Sequence, residues 1–335
     1  MKHPYVGLCY NHCSMSHLQN RLKQIQLRPL ILLITISLLL TGCALFPKQF
    51  KEVIADYKPS HEYYMPELIV QTVSQPTYVK EKVVYRVDSE MELAVLAMIL
   101  FEEGTVQIFI EDRDFSIDRT YAYLESLMIH AFRFSMGTKT YTQNDKTVKT
   151  LDYVKIELYD DRMDQVDKAI DTFIKLKVDR TETPERVLRD IHDGLIVTTQ
   201  YDTAILELDL TNIVDHTPFE AYGLFIQHKA VCSGYSKAFV GVAREMNIPV
   251  LTVSSTKMNH AWNLVYVNDA WLYIDVTFDD PVPDKANHVV DTYFLLTHDK
   301  ITRASFTIKA HEFDLASDTT LTAAQYLEFA QYVFN

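Results

Sequence analysis

The stretch Ala230–Asp280, AVCSGYSKAFVGVAREMNIPVLTVSSTKMNHAWNLVYVNDAWLYIDVTFDD, decides how the rest of the chain is read. After Cys232, Tyr235, Ala238, Phe239 and Val242 fall at i, i+3, i+4 and i+7, the spacing of one helix face. Asn247-Ile248-Pro249 ends that helix. Cys232 therefore stands at a helix N-terminus, where unpaired amides and the positive end of the dipole gather and favour negative charge. The same amides suit an oxyanion. Pro249–Ser254, Ala261–Val267 and Ala270–Thr277 read as strands. With Asn268-Asp269 as a hairpin tip, Val267 faces Ala270, Trp262 faces Asp275 and His260 faces Thr277. Alternation then puts His260, Trp262, Tyr273 and Asp275 on one face, with His260 and Asp275 diagonal neighbours. Cys232, His260 and Asp275 have the chemistry and order of a thiol nucleophile, its base and the base's orienter. Singly, each has a blander reading: an inert buried thiol, a packed histidine, a strand-end cap. Their convergence favours the catalytic one.

Upstream lie the supports of this stretch. Thr183 caps and Pro184 opens a helix, Pro184–Thr198, with Val187, Leu188, Ile191 and Leu195 inward. It carries His192-Asp193, which as helix neighbours point about 100° apart and so read as structural rather than as a catalytic pair. After Tyr201-Asp202 and an acidic stretch, Thr217-Pro218 starts a short apolar helix, Phe219–Ile226, that delivers the chain to Cys232.

Before the polar break at Val178–Thr181, residues 86–178 read as a small α/β module. Ser89–Glu92 is a capping-box pattern before an apolar helix ending near Gly104. Thr105–Ile110 is a strand, Ile117–Phe132 a helix, Gly137–Lys149 a polar turn region, Leu151–Tyr159 a strand and Met163–Leu176 a helix. No catalytic constellation is visible there. His130 reads as a packed or solvated helix residue.

The N-terminus has a different character. Arg21, Lys23 and Arg28 precede the apolar run Leu30–Leu40, followed by Thr41-Gly42-Cys43. A basic segment, a short apolar run and small residues describe a secretory signal peptide over 1–42. This largely apolar run of eleven residues falls short of the roughly 20 a bilayer span needs, which disfavours an uncleaved anchor. Met15 is an alternative start. Residues 43–85 hold Pro47, Pro59, Pro66 and Pro76 without helical periodicity, as expected of an extended tether. If the leader is removed, its four basic residues take the formal charge from −13 to −17 (28 basic against 45 acidic residues). That acidic balance argues against a nucleic-acid partner. Of the four cysteines, Cys9 and Cys13 lie in the leader and Cys43 at its end, leaving Cys232 as the one thiol of the expected mature chain.

Two resemblances follow. Leu40-Thr41-Gly42-Cys43 resembles the lipobox of bacterial lipoproteins. This implies lipidation of Cys43 and an extracytoplasmic, membrane-anchored protein of cell surface or envelope. Val231–Tyr235, Asn259–Asn263, Trp271 and Asp275-Val276-Thr277 resemble the transglutaminase-like superfamily, in its bacterial branch similar to cysteine peptidases. Ile191–Asp193, Tyr201-Asp202 and Asp279–Pro281 match the usual flanks. The resemblance implies an α+β fold with a papain-like core, a nucleophile helix packed on an antiparallel sheet, over residues 179–335. It implies Cys232 as nucleophile, His260 as general base and acid, Asp275 as orienter and Tyr201 as a second oxyanion donor. It implies acyl transfer through a thioester on a peptide or protein substrate, with no cofactor or metal. Lys229–Val231 replaces a glycine common before the nucleophile, Gly194 an aromatic after His-Asp, and Phe278 a tryptophan after Asp-Val-Thr. These departures bear on substrate fit. A non-catalytic scaffold that keeps the fold is the alternative. A metal site on Asp275, Asp279 and Asp280 is disfavoured, because their spacing lacks the dense ligand loop of calcium sites.

Overall fold

Two hairpins tipped by paired Asn and Asp residues, each in a different sheet, set the strand registers of the molecule. A computed structural model describes residues 77–79, 82–102, 104–130, 132–158, 162–207, 215–285, 288–317 and 319–334. The expected signal peptide, Cys43 and most of the tether lie outside these residues. Among the described residues no helix is long and apolar enough to cross a membrane.

The first half builds a five-stranded sheet from β1 (Thr77–Val79), β2 (Lys82–Tyr85), β3 (Gln107–Arg113), β4 (Phe132–Gln143) and β5 (Lys146–Leu158), in the order β1-β2-β3-β5-β4. The sheet thus begins inside the stretch expected to be tether: β1 pairs with β2, and β2 lies parallel to β3. Helix α1 (Glu90–Glu102) starts as its capping pattern requires. Ser89 Oγ accepts from Glu92 N (3.1 Å), and the Glu92 carboxylate accepts from Asp88 N (2.7 Å). Leu93 to Ala97 are all buried, so this helix is enclosed on every side. Helix α2 (Ile117–Leu127) is capped by Ser116 and stops short of the expected Phe132, which instead opens β4.

The expected polar turn, Gly137–Lys149, is mostly strand. Asn144 and Asp145 both adopt left-handed backbone (φ 51° and 59°), the geometry of a two-residue type I′ turn. The flanking residues Thr138–Thr140, Thr142 and Gln143 are polar and exposed, so they carry no apolar alternation and no strand signal.

The second half begins with α3 (Met163–Lys177) and α4 (Pro184–Thr198) and a short parallel pair, β6 (Gln200–Tyr201) with β7 (Lys229–Ala230). Between these strands, a 3-10 turn at Thr217–Phe219 and a π-helical turn at Gly223–Gln227 replace the expected α-helix. Helix α5 (Cys232–Glu245) then leads into an antiparallel sheet of β8 (Val250–Ser255), β9 (His260–Val267) and β10 (Ala270–Ile274), in the order β10-β9-β8. Asn268 and Asp269 form a second left-handed pair (φ 52° and 57°), and Ala270 opposes Val267 as expected. Strand β10 ends at Ile274 rather than Thr277, and Asp275 begins α6 (Val276–Asp279). Two further helices, α7 (His298–Ile301) and α8 (Ala323–Phe334), follow.

The three-stranded sheet is buried on both faces. Leu251, Val253, Trp262, Leu264 and Tyr273 share one core with α1, α2, the large sheet and α8. Val250, Val265, Val267 and Ile274 share the other with α3, α4 and α5. The first of these cores crosses the boundary expected at Val178. Residues 86–178 and the sheet that carries His260 bury their apolar surface against each other.

Candidate active site

Cys232 is the first residue of α5, reached from β7 through the extended Val231. The approach is held in place by the turn at residues 217–220. Val231 N donates to Pro218 O (2.8 Å), and Ser233 Oγ donates to Phe219 O (2.6 Å). Gly234 lets helix and turn touch: a Cβ there would lie 2.6 Å from Pro218 O and 2.9 Å from the Ala230 Cβ. Cys232 is a free thiol of intermediate exposure. Parallel pairing of Tyr201 with Ala230 brings Tyr201 beside it from 31 residues upstream.

His260 opens β9 directly after Asn259, whose backbone is left-handed (φ 48°). Its ring stacks with Phe278 (centroids 4.3 Å apart) and with Trp262 (5.8 Å). Nε2 lies 2.6 Å from Asp275 Oδ2, and Cys232 is close enough to act electrostatically on the ring. Burial disfavours the charged imidazolium and acts to lower its pKa. The charge and hydrogen bond of Asp275, with a smaller contribution from Cys232, outweigh it and push His260 up to about 10.

Asp275 is fully buried. Its Oδ1 accepts from Phe278 N (3.0 Å), capping α6. Its Oδ2 accepts from His260 Nε2 and, at 2.7 Å, from His311 Nε2. Burial alone would raise this carboxyl. The charge of His260, with the hydrogen bonds from both rings, reverses that and holds it well below the usual carboxylate range. His260, Asp275 and His311 bring three potential ligand atoms within 4.8 Å of one another. The two ring-to-carboxylate hydrogen bonds account for that grouping.

The expected trio is therefore brought together, though the last link differs from a cross-strand diagonal. Asp275 has left the strand and reaches His260 as a helix cap. His311 had no sequence signal, since it sits in irregular chain without periodicity. Tyr201 has a hydroxyl pushed above its usual value by burial, then by the charges at Cys232, Asp275 and Asp202, so it stays a hydrogen-bond donor at ordinary pH. Its ring stacks at 6.5 Å on Tyr235, whose hydroxyl donates to Asp280.

The remaining acids go elsewhere. His192 is buried between Asp193 (Nδ1 to Oδ1, 2.8 Å) and Asp279 (Nε2 to Oδ2, 3.2 Å). Helix neighbours thus do meet here, because the short Asp193 side chain folds back onto the ring. Asp279 also accepts from Tyr293 N (2.9 Å). Asp275, Asp279 and Asp280 each engage a different set of partners. Asp280 is pushed up to about 6, mainly by burial and also by the charge of Asp284, against the hydrogen bond from Tyr235. A carboxyl raised on folding supports the fold most below its ordinary value of 3.8 and loses that support as pH rises through about 6. Asp280→Asn keeps an acceptor for Tyr235 without the charge. Its melting temperature relative to wild type is expected to improve between pH 4 and pH 7, as read by thermal scans at the two values.

A match to the transglutaminase-like superfamily covers residues 174–276. No curated protein matches the chain. Among solved structures, the chain is similar to a TGase at 16% identity and a TM-score of 0.30, with 51% of this chain and 50% of that one covered. It is also similar to a Cytophaga hutchinsonii protein named provisionally as a cysteine protease, at 14% identity and a TM-score of 0.26, with 48% and 67% covered. The chain spans about half the length of the first of these. The segment that carries Cys232, His260 and Asp275 belongs to the transglutaminase-like superfamily, and it is built as α+β structure with α5 against an antiparallel sheet.

Proposed function

We propose that the chain is a lipid-anchored, extracytoplasmic thiol acyl-transfer enzyme acting on peptide or amide bonds of surface protein or cell wall. One observation supports the reading: a half-buried thiol at the start of a long helix lies near a histidine whose Nε2 is hydrogen-bonded to a fully buried carboxylate. In this reading the Cys232 thiolate attacks an acyl carbonyl, and the amide of Cys232 with the Tyr201 hydroxyl stabilises the oxyanion. His260 passes its proton to the leaving group as the C–N bond breaks, leaving a thioester on Sγ. It then takes a proton from the acceptor, water or an amine, as that attacks and the thiolate departs. The anchor would be diacylglycerol on Cys43.

Alkylation tests the thiol directly. At pH 6 an ordinary thiol is almost wholly protonated, whereas an ion-paired one is not. Iodoacetamide is expected to modify Cys232 at least about tenfold faster than a model thiol there, with the adduct located by mass analysis. A rate no faster than the model thiol's, with function surviving loss of Cys232, would support the scaffold reading and overturn this one.

A further inference from the structure

His311 lies in the irregular segment after α7, 35 residues past the end of the superfamily match at residue 276. It is fully buried, with its ring against Trp262 (4.7 Å between centroids), Phe278 (5.1 Å) and Tyr293 (5.4 Å). Its neighbours are tied down on both sides. His311 N donates to Ile301 O (2.8 Å), and Lys309 N donates to the Tyr293 hydroxyl (2.7 Å). Asp314 accepts from Thr256 N (2.7 Å) and Lys257 N (3.1 Å), in the loop that leads to His260. This segment thus braces the aspartate and the approach to the histidine together.

The two rings compete for one atom. Asp275 Oδ2 accepts from His260 at 2.6 Å and from His311 at 2.7 Å, while Oδ1 is taken by the α6 cap. Nε2 is therefore the protonated nitrogen of His311. Its Nδ1 is buried without a partner among the described residues, which costs free energy that a phenylalanine in the same space would not incur. Packing alone does not explain a histidine here.

Resting on the thiol-enzyme reading above, we propose that His311 is a positioning residue for the Cys232–His260 pair. It fixes the rotation of the Asp275 carboxylate and takes half the accepting capacity of Oδ2. His260 is then oriented by Asp275 without being held so strongly that it cannot give up its proton.

The test compares the full chain with His311→Phe and His311→Gln. The charged and titratable groups around His260 are Asp275 and Cys232 in contact, Tyr201, Asp279 and Tyr293 beyond them, and Lys309 over the Phe278 ring; all are kept. Proton NMR of wild type should show two imidazole N–H signals shifted far downfield, one from each ring. In His311→Phe one signal disappears, the other moves further downfield, and the His260 titration midpoint rises by about one pH unit. In His311→Gln, which restores an N–H donor, the midpoint returns most of the way. Acyl transfer falls roughly tenfold in His311→Phe, matching one pH unit in the readiness of His260 to give up its proton, whereas Cys232 alkylation at neutral pH, which needs only the thiolate, does not fall.

A His260 signal and midpoint that stay in place in His311→Phe would show that His311 only fills space, whatever happens to the melting temperature. Should the Phe variant not fold, a single downfield signal in wild type would equally overturn the proposal. Slow alkylation of wild-type Cys232 would sink the enzyme reading instead, while the NMR comparison still decides the role of His311.

Discussion

Asp275→Asn is expected to slow acyl transfer by on the order of ten-thousand-fold with the fold intact. The amide can still accept from Phe278 N through its oxygen, so the α6 cap survives. Its nitrogen then confronts the N–H of His260 and the N–H of His311, two donors that were both satisfied by Oδ2. His260 must change tautomer or turn, and in either case its other nitrogen no longer serves Cys232. The pH dependence follows the same cause. His260 is raised to about 10 chiefly because Asp275 outweighs burial, so the stability its charged form lends is complete below its ordinary 6.5 and is lost as pH rises through about 10. In the asparagine variant that loss should begin at lower pH, as thermal scans between pH 6 and 11 would read. Asp275→Ala goes further, because it removes the acceptor of three donors in a fully buried place. It is expected to destabilise the chain by about 3–5 kcal/mol, measured as a shift of the denaturant midpoint. Wild-type reactivity of Cys232 in Asp275→Asn would show that the carboxylate has no part in orienting the pair.

Cys232→Ala is expected to abolish turnover, by on the order of a million-fold, and to leave the melting temperature nearly unchanged. The thiol is half-exposed and the helix start is held by Val231, Ser233 and Gly234 rather than by Cys232. His260→Ala should cost about as much. The double variant should cost little more than either, because nucleophile and base act as a unit. Turnover would be followed by release of an amine or acid from a peptide acyl donor, with acyl-enzyme trapped on the wild-type thiol as the positive control. An additive double variant would mean that the two residues act in separate steps.

Much of this site was legible because local rules and tertiary structure agreed. Asn268-Asp269 carried its own turn geometry, so the pairing of β9 with β10 came out as expected. The apolar period after Cys232 gave α5 its start. What failed was non-local or weakly patterned. Val276 and Thr277 favour strand and so predict strand at Asp275, yet the cap to Phe278 N turns the chain there. The β4–β5 hairpin was hidden because its exposed end alternates nothing apolar. His311 could not be found at all, since its role rests on a contact with a residue 36 positions away in chain without periodicity.

The type I′ turn at Asn268-Asp269 has a consequence for how this chain can vary in length. Each residue added to one strand of the β9–β10 hairpin must be matched by one in the other, or the faces exchange and His260 turns away from Asp275. The interval between the two residues therefore behaves like a reading frame. Descendants of this sequence can lengthen or shorten the hairpin in balanced pairs, whereas a lone insertion on one side silences the site as a frameshift silences a gene.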